Sequence, residues 1–279
     1  MKLGLYGLNM GAHATPSTMA NAARAAEIAG FDSVWMGEHF ALPDPQTPPS
    51  PLPPHHPILD SLESLTYVAA HTSTLKLATG IIVLPQRNPV MLAKLVATLD
   101  VLSAGRVVLG IGAGYLSQEF RMLQTNFKDR GVITDEYLDA LIQLWYHQSP
   151  THHGRFASFE SLDAQPRPIQ EFIPLIIGGW SKPAWRRAVT RGHGWYGFWL
   201  SPKATAKAIK GLHDAALQYE RPASLAELEI SVTPPIPLTR SLAEEYAELG
   251  VHRLIPRIPE GDFEAELTIE AALGSVRSL

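Results

Sequence analysis

Short apolar runs alternate with amphipathic stretches along the whole chain, and this alternation predicts strand–helix repeats from end to end. Residues 3–8 read as the first strand. Thr15 and Pro16 then open a helix, Thr as N-cap and Pro at the first helical position. Met19, Ala22, Ala23 and Ala26 follow at helical spacing, and Gly30 closes it. Residues 31–37 form the second strand. Asp60 opens the next helix with Glu63 three residues on, as in a capping box, and Leu62, Leu65 and Ala69 make its apolar stripe. The third strand is 75–83. Asn88 and Pro89 start a helix that Gly105 ends, and 106–111 is the fourth strand. Helical stretches run from Gln118 and over 135–146. Strands at 174–177, 195–200, 228–232 and 251–255 each precede a helix, over 183–191, 202–219, near 241–249 and over 263–276.

Eight strands, each followed by helix, imply parallel pairing through right-handed crossovers. Such a chain closes into a barrel or opens into a doubly wound sheet; strand count and length favour a single α/β domain over 1–279, a TIM (β/α)₈ barrel. Two segments fall outside the repeat. The loop 42–58 carries eight prolines and follows the second strand, which places it on the active-site face as a lid or a stiff surface crossing. Residues 152–170 alternate aromatic and polar residues around Gly154, Arg155 and Phe156 and read as a small hairpin inserted before the fifth strand.

Composition narrows the function. The 279 residues are 46% hydrophobic and 18% charged, with a formal net charge of −4, so nothing resembles the basic footprint of a nucleic-acid binder. There is no cysteine, hence no disulfide and no thiolate chemistry. The first residues are too soon interrupted for a signal peptide, and no long uninterrupted apolar stretch occurs. The expectation is a soluble cytoplasmic protein acting on a small molecule, away from nucleic acid and membrane.

Barrel active sites are built at the carboxyl-terminal ends of strands, so the residues just past each strand are the candidates. Glu38 and His39 follow the second strand; Thr79, Gly80 and Ile81 lie at the end of the third. Gly110 to Tyr115, with Gly112, Ala113 and Gly114 inside it, follows the fourth, and Gly178-Gly179-Trp180-Ser181 the fifth. Phe198 and Trp199 end the sixth, and Arg257 lies near the eighth. Glycine lets backbone N–H groups approach a phosphate or a flat ring, and a helix N-terminus after Ser181 favours an anion. The same glycines also serve as tight strand-to-helix turns. His39 is placed for proton transfer or a hydrogen bond to a cofactor, or is a structural histidine; Glu38 assists it or packs in an ion pair. His55-His56 and His152-His153 lack a third ligand at matching spacing and read as loop residues rather than a metal site. Trp180, Trp195 and Trp199 read as core or pocket wall.

Five stretches together resemble the luciferase-like monooxygenase superfamily. They are Ala29 to Trp35 with Glu38-His39; Thr79-Gly80-Ile81 through Pro85 to Arg87, Asn88 and Pro89; Ala97-Thr98-Leu99-Asp100 with Ser103, Gly105 and Arg106; Leu109 to Tyr115 with Glu119-Phe120; and Pro174 to Ser181 with Gly192 to Trp195. The nearest branch is the one using coenzyme F420, a deazaflavin; flavin mononucleotide (FMN) users share the Arg-Asn-Pro-Val and Ala-Thr-Leu-Asp wording. The resemblance implies a cofactor ring over the end of the third strand, where many deazaflavin members carry a non-proline cis peptide, by position Gly80–Ile81 here. It implies a phosphate held by Gly178, Gly179 and Ser181 with help from Gly112 to Gly114, and a homodimer through the helices after strands two and three. His39 matches an active-site histidine of deazaflavin-dependent sugar-phosphate dehydrogenases. Tyr115 stands where those enzymes have a catalytic glutamate, which argues against sugar-phosphate oxidation.

The resulting expectation is an F420-dependent oxidoreductase moving a hydride between the cofactor's C5 and a small organic substrate. Its catalytic candidates are His39, Glu38 and Tyr115; its cofactor contacts are His39, Thr79, Gly80, Ile81, Gly112, Ala113, Gly114, Gly178, Gly179, Trp180 and Ser181. The alternatives are an FMN-dependent monooxygenase and a non-catalytic flavin-binding barrel. A metal-dependent hydrolase barrel fits least, because no paired histidines end the first strand.

Overall fold

In the computed structural model, which describes residues 1–258, the apolar runs become strands whose alternate residues face opposite ways. The barrel strands are β1 (Lys2–Tyr6), β2 (Ser33–Met36), β3 (Lys76–Thr79) continued by β4 (Ile82–Val83), β5 (Val107–Gly112), β8 (Leu175–Gly178), β9 (Gly194–Phe198), β10 (Glu229–Thr233) and β11 (Arg253–Leu254). Every neighbouring pair is parallel in the order β3-β2-β1-β11-β10-β9-β8-β5, and β3 with its continuation β4 pairs with β5, so the sheet closes on itself as an eight-membered barrel. β6 (His152–His153) and β7 (Ser158–Phe159) form the small antiparallel hairpin before β8. The Glu136 carboxylate accepts N–H bonds from Arg155, Phe156 and Ala157 and ties that hairpin to the helix beneath it.

The helices start where the caps stand. Thr15, Asp60, Asn88, Ser181, Ser201 and Thr239 each accept a backbone N–H with the side chain at the N-cap of α1 (Pro16–Ile28), α2 (Ser61–Ala69), α3 (Pro89–Leu102), α6 (Lys182–Arg191), α7 (Pro202–Gln218) and α8 (Arg240–Glu248). α4 (Ser117–Met122) is short. α5 (Arg130–Tyr146) begins a turn and more before Asp135, the residue that the sequence pattern marks as its start. Asp135 does not cap; its carboxylate pairs with Arg186 and Arg187 of α6. The helix expected over 263–276 lies outside the described residues.

Two apolar layers result. Leu3, Leu5, Val34, Met36, Leu77, Leu109, Ile111, Ile177 and Val232 point outward under the helices. Tyr6, Trp35, Ala78, Val108, Ile176, Tyr196 and Ile255 point inward and fill the barrel. Trp35 and Tyr196 meet across the interior at 5.1 Å between ring centroids, and Tyr6 and Phe198 at 5.0 Å.

The third strand departs from the continuous run that the sequence predicts. It breaks between β3 and β4 at a cis Gly80–Ile81 peptide. There the ladder to β5 passes through a side chain: the Thr79 hydroxyl donates to the Gly110 carbonyl (2.7 Å) and accepts from the Gly110 N–H (2.8 Å). A Cβ on residue 110 would lie 2.0 Å from the Thr79 carbonyl oxygen, so only glycine permits this approach. The proline loop after β2 is stapled at both ends by the buried Asn9, whose amide donates to the carbonyls of Gly37 (2.9 Å) and Leu59 (2.8 Å).

Glu27 at the end of α1 binds the turn that leads into β3. Partial burial pushes its carboxyl up, but donors from Thr74, Ser73 and Leu75 outweigh this and bring it down to about 2. The folded state thus favours the charged form, and the resulting stability is full above the ordinary value of 4.5 and is lost as the pH falls toward 2. Glu27→Gln is expected to lower the unfolding free energy at pH 7 by about 1 kcal/mol, because solvent screens this largely solvent-facing carboxylate. In denaturant titrations the gap to the unsubstituted protein should shrink as the pH is lowered from 4.5 to 2.

Candidate active site at the carboxyl-terminal rim

The break in the third strand shapes the rim. Gly80 rests between Trp35 and Tyr6, each 3.3 Å from where its Cβ would be. Ile81 then projects over the glycines of β5 and β8: a Cβ on Gly112 would meet it at 2.8 Å and one on Gly178 at 3.0 Å. These two glycines therefore make room for the protein's own isoleucine, a use that the sequence does not signal. Thr79 is buried and spent on Gly110. Gly114 has φ +78° and lies against Val83 and Phe120, with Ala113 before it in the turn to α4.

His39 stands beside this shelf. Its Nδ1 is 3.2 Å from both carboxylate oxygens of Glu119, a buried residue of α4. The same carboxylate accepts the N–H groups of Phe40 (2.9 Å) and Ala41 (3.4 Å). On the other side of the ring, the Tyr115 hydroxyl is 3.4 Å from His39 Nε2. Burial, with Glu119 nearby, pushes the Tyr115 phenol up to about 12, so it stays protonated at neutral pH. Burial also holds the Tyr6 and Tyr196 phenols above the usual range.

Glu38, next along the chain, faces away from this chemistry. Its carboxylate accepts from Arg87 Nε (2.8 Å), from Arg87 Nη2 and from the Val83 N–H (2.8 Å), and Arg87 also pairs with Asp60. Of the two roles open to it in the sequence, the ion pair is the one present. Burial pushes its carboxyl up, against the pull of the Arg87 guanidinium. This knot locks the segment after β4 to α2 and so fixes the height of the Ile81 shelf.

The anion-binding candidate is the turn from β8 into α6. Gly179 has φ +119°, and only Ala184 lies close to where its Cβ would be. Trp195 Nε1 holds its carbonyl at 2.9 Å. The Ser181 hydroxyl accepts from the Ala184 N–H, and Trp180 is exposed. Among the described residues the N–H groups of Trp180 and Ser181 donate to no protein acceptor. Two open N–H groups at the positive end of a ten-residue helix suit a phosphate.

Sequence reasoning named most of this rim but did not select Glu119 as a site residue. It lies 80 positions from His39 and looks like any acidic residue of a helix. Tyr6 was read only as part of a strand, yet its ring touches both the Gly80 shelf and Phe198. Trp199 has φ +61°, a left-handed backbone unusual for a bulky residue, and its ring sits under the Arg257 guanidinium at 5.1 Å. No group of three potential metal ligands comes together among the described residues, and none of their helices is long and apolar enough to cross a membrane.

The family model for luciferase-like monooxygenases matches residues 5–274, nearly the whole chain. The chain belongs to the luciferase-like monooxygenase family. A Mycobacterium tuberculosis relative, functionally uncharacterised, is 35% identical over 181 residues, 62% of this chain and 64% of the relative, so the match spans just under two thirds of that protein. A second M. tuberculosis relative, provisionally named a coenzyme F420-dependent oxidoreductase, is 27% identical over 259 residues, 88% of this chain and 70% of the relative. Two solved structures share the luciferase-like fold. One is an F420-dependent secondary alcohol dehydrogenase holding an F420–acetone adduct (TM-score 0.81, 17% identity, 99% of each chain). The other is the oxygenating component of a Pseudomonas putida diketocamphane monooxygenase with FMN (TM-score 0.65, 21% identity, 84% of this chain and 66% of that one).

If the Glu38 knot is structural, breaking it costs stability. Glu38→Gln leaves Arg87 with a weakened partner in a half-buried place and is expected to lower the unfolding free energy by about 3 kcal/mol. Thermal denaturation would show this as a fall in Tm of several degrees, at about 2–4 °C per kcal/mol for a chain of this size.

Proposed function

We propose that this luciferase-like protein is a coenzyme F420-dependent oxidoreductase that moves a hydride between the deazaflavin C5 and a small organic substrate. The observation that carries the reading is the meeting on one rim of a shelf, a held histidine and an open helix N-terminus. The Gly80–Ile81 shelf offers a surface for a flat ring. His39 stands beside it with one nitrogen on a carboxylate and the other toward the Tyr115 hydroxyl. The α6 N-terminus offers N–H donors to a phosphate. The relative provisionally named for F420, aligned over 88% of this chain, supports the choice of cofactor.

The residues present fit such a cofactor. Trp180 and Ser181 would bind its phosphate, and Ile81 with Gly80 would carry its ring. Bound there, a deazaflavin supplies two-electron hydride exchange at C5 and activates oxygen poorly, whereas FMN also supports oxygen activation. His39, whose side chain is only 11% exposed with Glu119 on one side of the ring and Tyr115 on the other, would exchange a proton with the substrate through Nε2. Glu38 and Arg87 would keep the shelf in place. The FMN-containing structural neighbour favours FMN monooxygenase chemistry as the second reading, and cofactor identity separates the two.

Titrating the protein with oxidised and reduced F420 and with FMN tests the proposal: F420 should bind more tightly, and tighter FMN binding would overturn it. Ser181→Asp is the matching variant. Asp caps a helix as well as Ser does, so the fold should hold, while its charge should weaken both cofactors by about tenfold or more. Unchanged affinity would move the phosphate site elsewhere.

The protein is further proposed to act as a homodimer. Met91, Leu95 and Leu102 lie on one face of α3, all exposed. Such a stripe suits a self-complementary two-fold contact. Light scattering at micromolar concentration should give twice the 30.5 kDa of one chain; a monomer mass would refute this.

A further inference from the structure

The Glu119 carboxylate ties His39 to the backbone that leads into the proline loop. Its Oε1 accepts the Phe40 and Ala41 N–H groups, and both oxygens stand 3.2 Å from His39 Nδ1. Its side chain is almost fully enclosed. We infer that Glu119 is a positioning residue: it fixes His39 as the Nδ1-protonated tautomer, and so presents Nε2 to the rim as the site's proton acceptor.

A carboxylate that already takes two backbone N–H groups has only acceptor capacity left, so the imidazole nitrogen facing it must carry the proton. That leaves the lone pair on Nε2. The residue facing Nε2 is Tyr115, whose phenol keeps its proton and so donates to that lone pair. The order is therefore Tyr115 O–H to Nε2, then Nδ1–H to Glu119. The Tyr115 contact is long, at 3.4 Å, and a substrate hydroxyl could replace it. A proton taken up at Nε2 would make an imidazolium whose other N–H stays on the Glu119 carboxylate, which stabilises the charge where it forms. The Phe40 and Ala41 bonds place the loop that follows His39 under the same side chain, so ring orientation and loop anchorage are set together.

The inference rests on the reading of His39 as the proton-handling group, but its test does not need cofactor or substrate. Glu119→Gln is nearly isosteric. The Gln carbonyl oxygen, in the place of Oε1, still accepts from Phe40 and Ala41, which takes both its lone pairs, while the NH₂ in the place of Oε2 can only donate to Nδ1 and so reverses the tautomer. The experiment is ¹⁵N NMR of the full-length, histidine-labelled protein without added cofactor, with the His39 signals identified by their loss in His39→Gln. In the unsubstituted protein at pH 8, Nδ1 should show the protonated, pyrrole-type shift and Nε2 the pyridine-type shift; in Glu119→Gln the two should exchange. Amide exchange at Phe40 and Ala41 should stay within about threefold in Glu119→Gln and quicken at least tenfold in Glu119→Ala, since each bond lost exposes its donor. An Nε2-protonated His39 in the unsubstituted protein overturns the inference, as does an unchanged tautomer in Glu119→Gln. If Glu119→Gln fails to fold, the tautomer of the unsubstituted protein decides alone. Once a turned-over substrate is in hand, Glu119→Gln should lower kcat by about 10²–10⁴-fold with cofactor affinity unchanged, the scale of losing a correctly oriented base; an unchanged kcat would remove the positioning role. A failed F420 titration would leave the tautomer result standing, so the two claims fall separately.

Discussion

The Thr79 carbonyl oxygen lies where a side chain on residue 110 would begin, and much of the rim follows from that contact. Because Gly110 yields the space, the third strand can swing against β5 and satisfy the ladder through the Thr79 hydroxyl. The strand then breaks, and Ile81 is carried over the barrel mouth onto the bare backbones of Gly112 and Gly178. The shelf is thus made by three strands at once. Below it, Trp35 and Tyr196 fill the barrel; above it, Glu38 and Arg87 pin the continuation of the strand. A change to any of these parts moves the surface that faces a ligand.

The two acidic residues near His39 divide the labour in a way that their sequence positions conceal. Glu38 is adjacent to His39 in the chain, yet it is consumed by Arg87 and the Val83 N–H. Glu119 is 80 positions away, yet it grips the imidazole. In a barrel, consecutive residues past a strand end point in different directions, and the partner of a rim side chain comes from a neighbouring strand–helix unit. The functional pairing therefore runs between the segment after β2 and the short helix α4 that follows β5.

Much of the fold was legible because its signals are local. Asp60, Asn88 and the Thr15–Pro16 pair mark helix starts through bonds to N–H groups two or three residues on. Strand identity followed from short apolar runs bounded by turn residues, and the inserted hairpin from its aromatic and polar alternation. What was not legible depends on distant contacts. The start of α5 was missed because Asp135 resembles a cap but pairs with α6 instead. The apolar run through Thr79, Gly80 and Ile81 reads as continuous strand; only the resemblance to a family marked Gly80–Ile81 as its break. The glycines of β5 and β8 were read as ligand cradles or turns, and no local rule says that Ile81 occupies the space above them. Glu119 was invisible as a partner because nothing near it in the chain predicts His39.

The Ile81 shelf, His39 and the α6 N-terminus are proposed to form one cofactor site. The most direct measurement is a crystal structure of the protein grown with coenzyme F420. The deazaflavin ring should lie on Ile81 with His39 beside it and the phosphate within hydrogen-bond distance of the Trp180 and Ser181 N–H groups. A ring bound away from Ile81, or a phosphate bound away from the start of α6, would contradict that proposal.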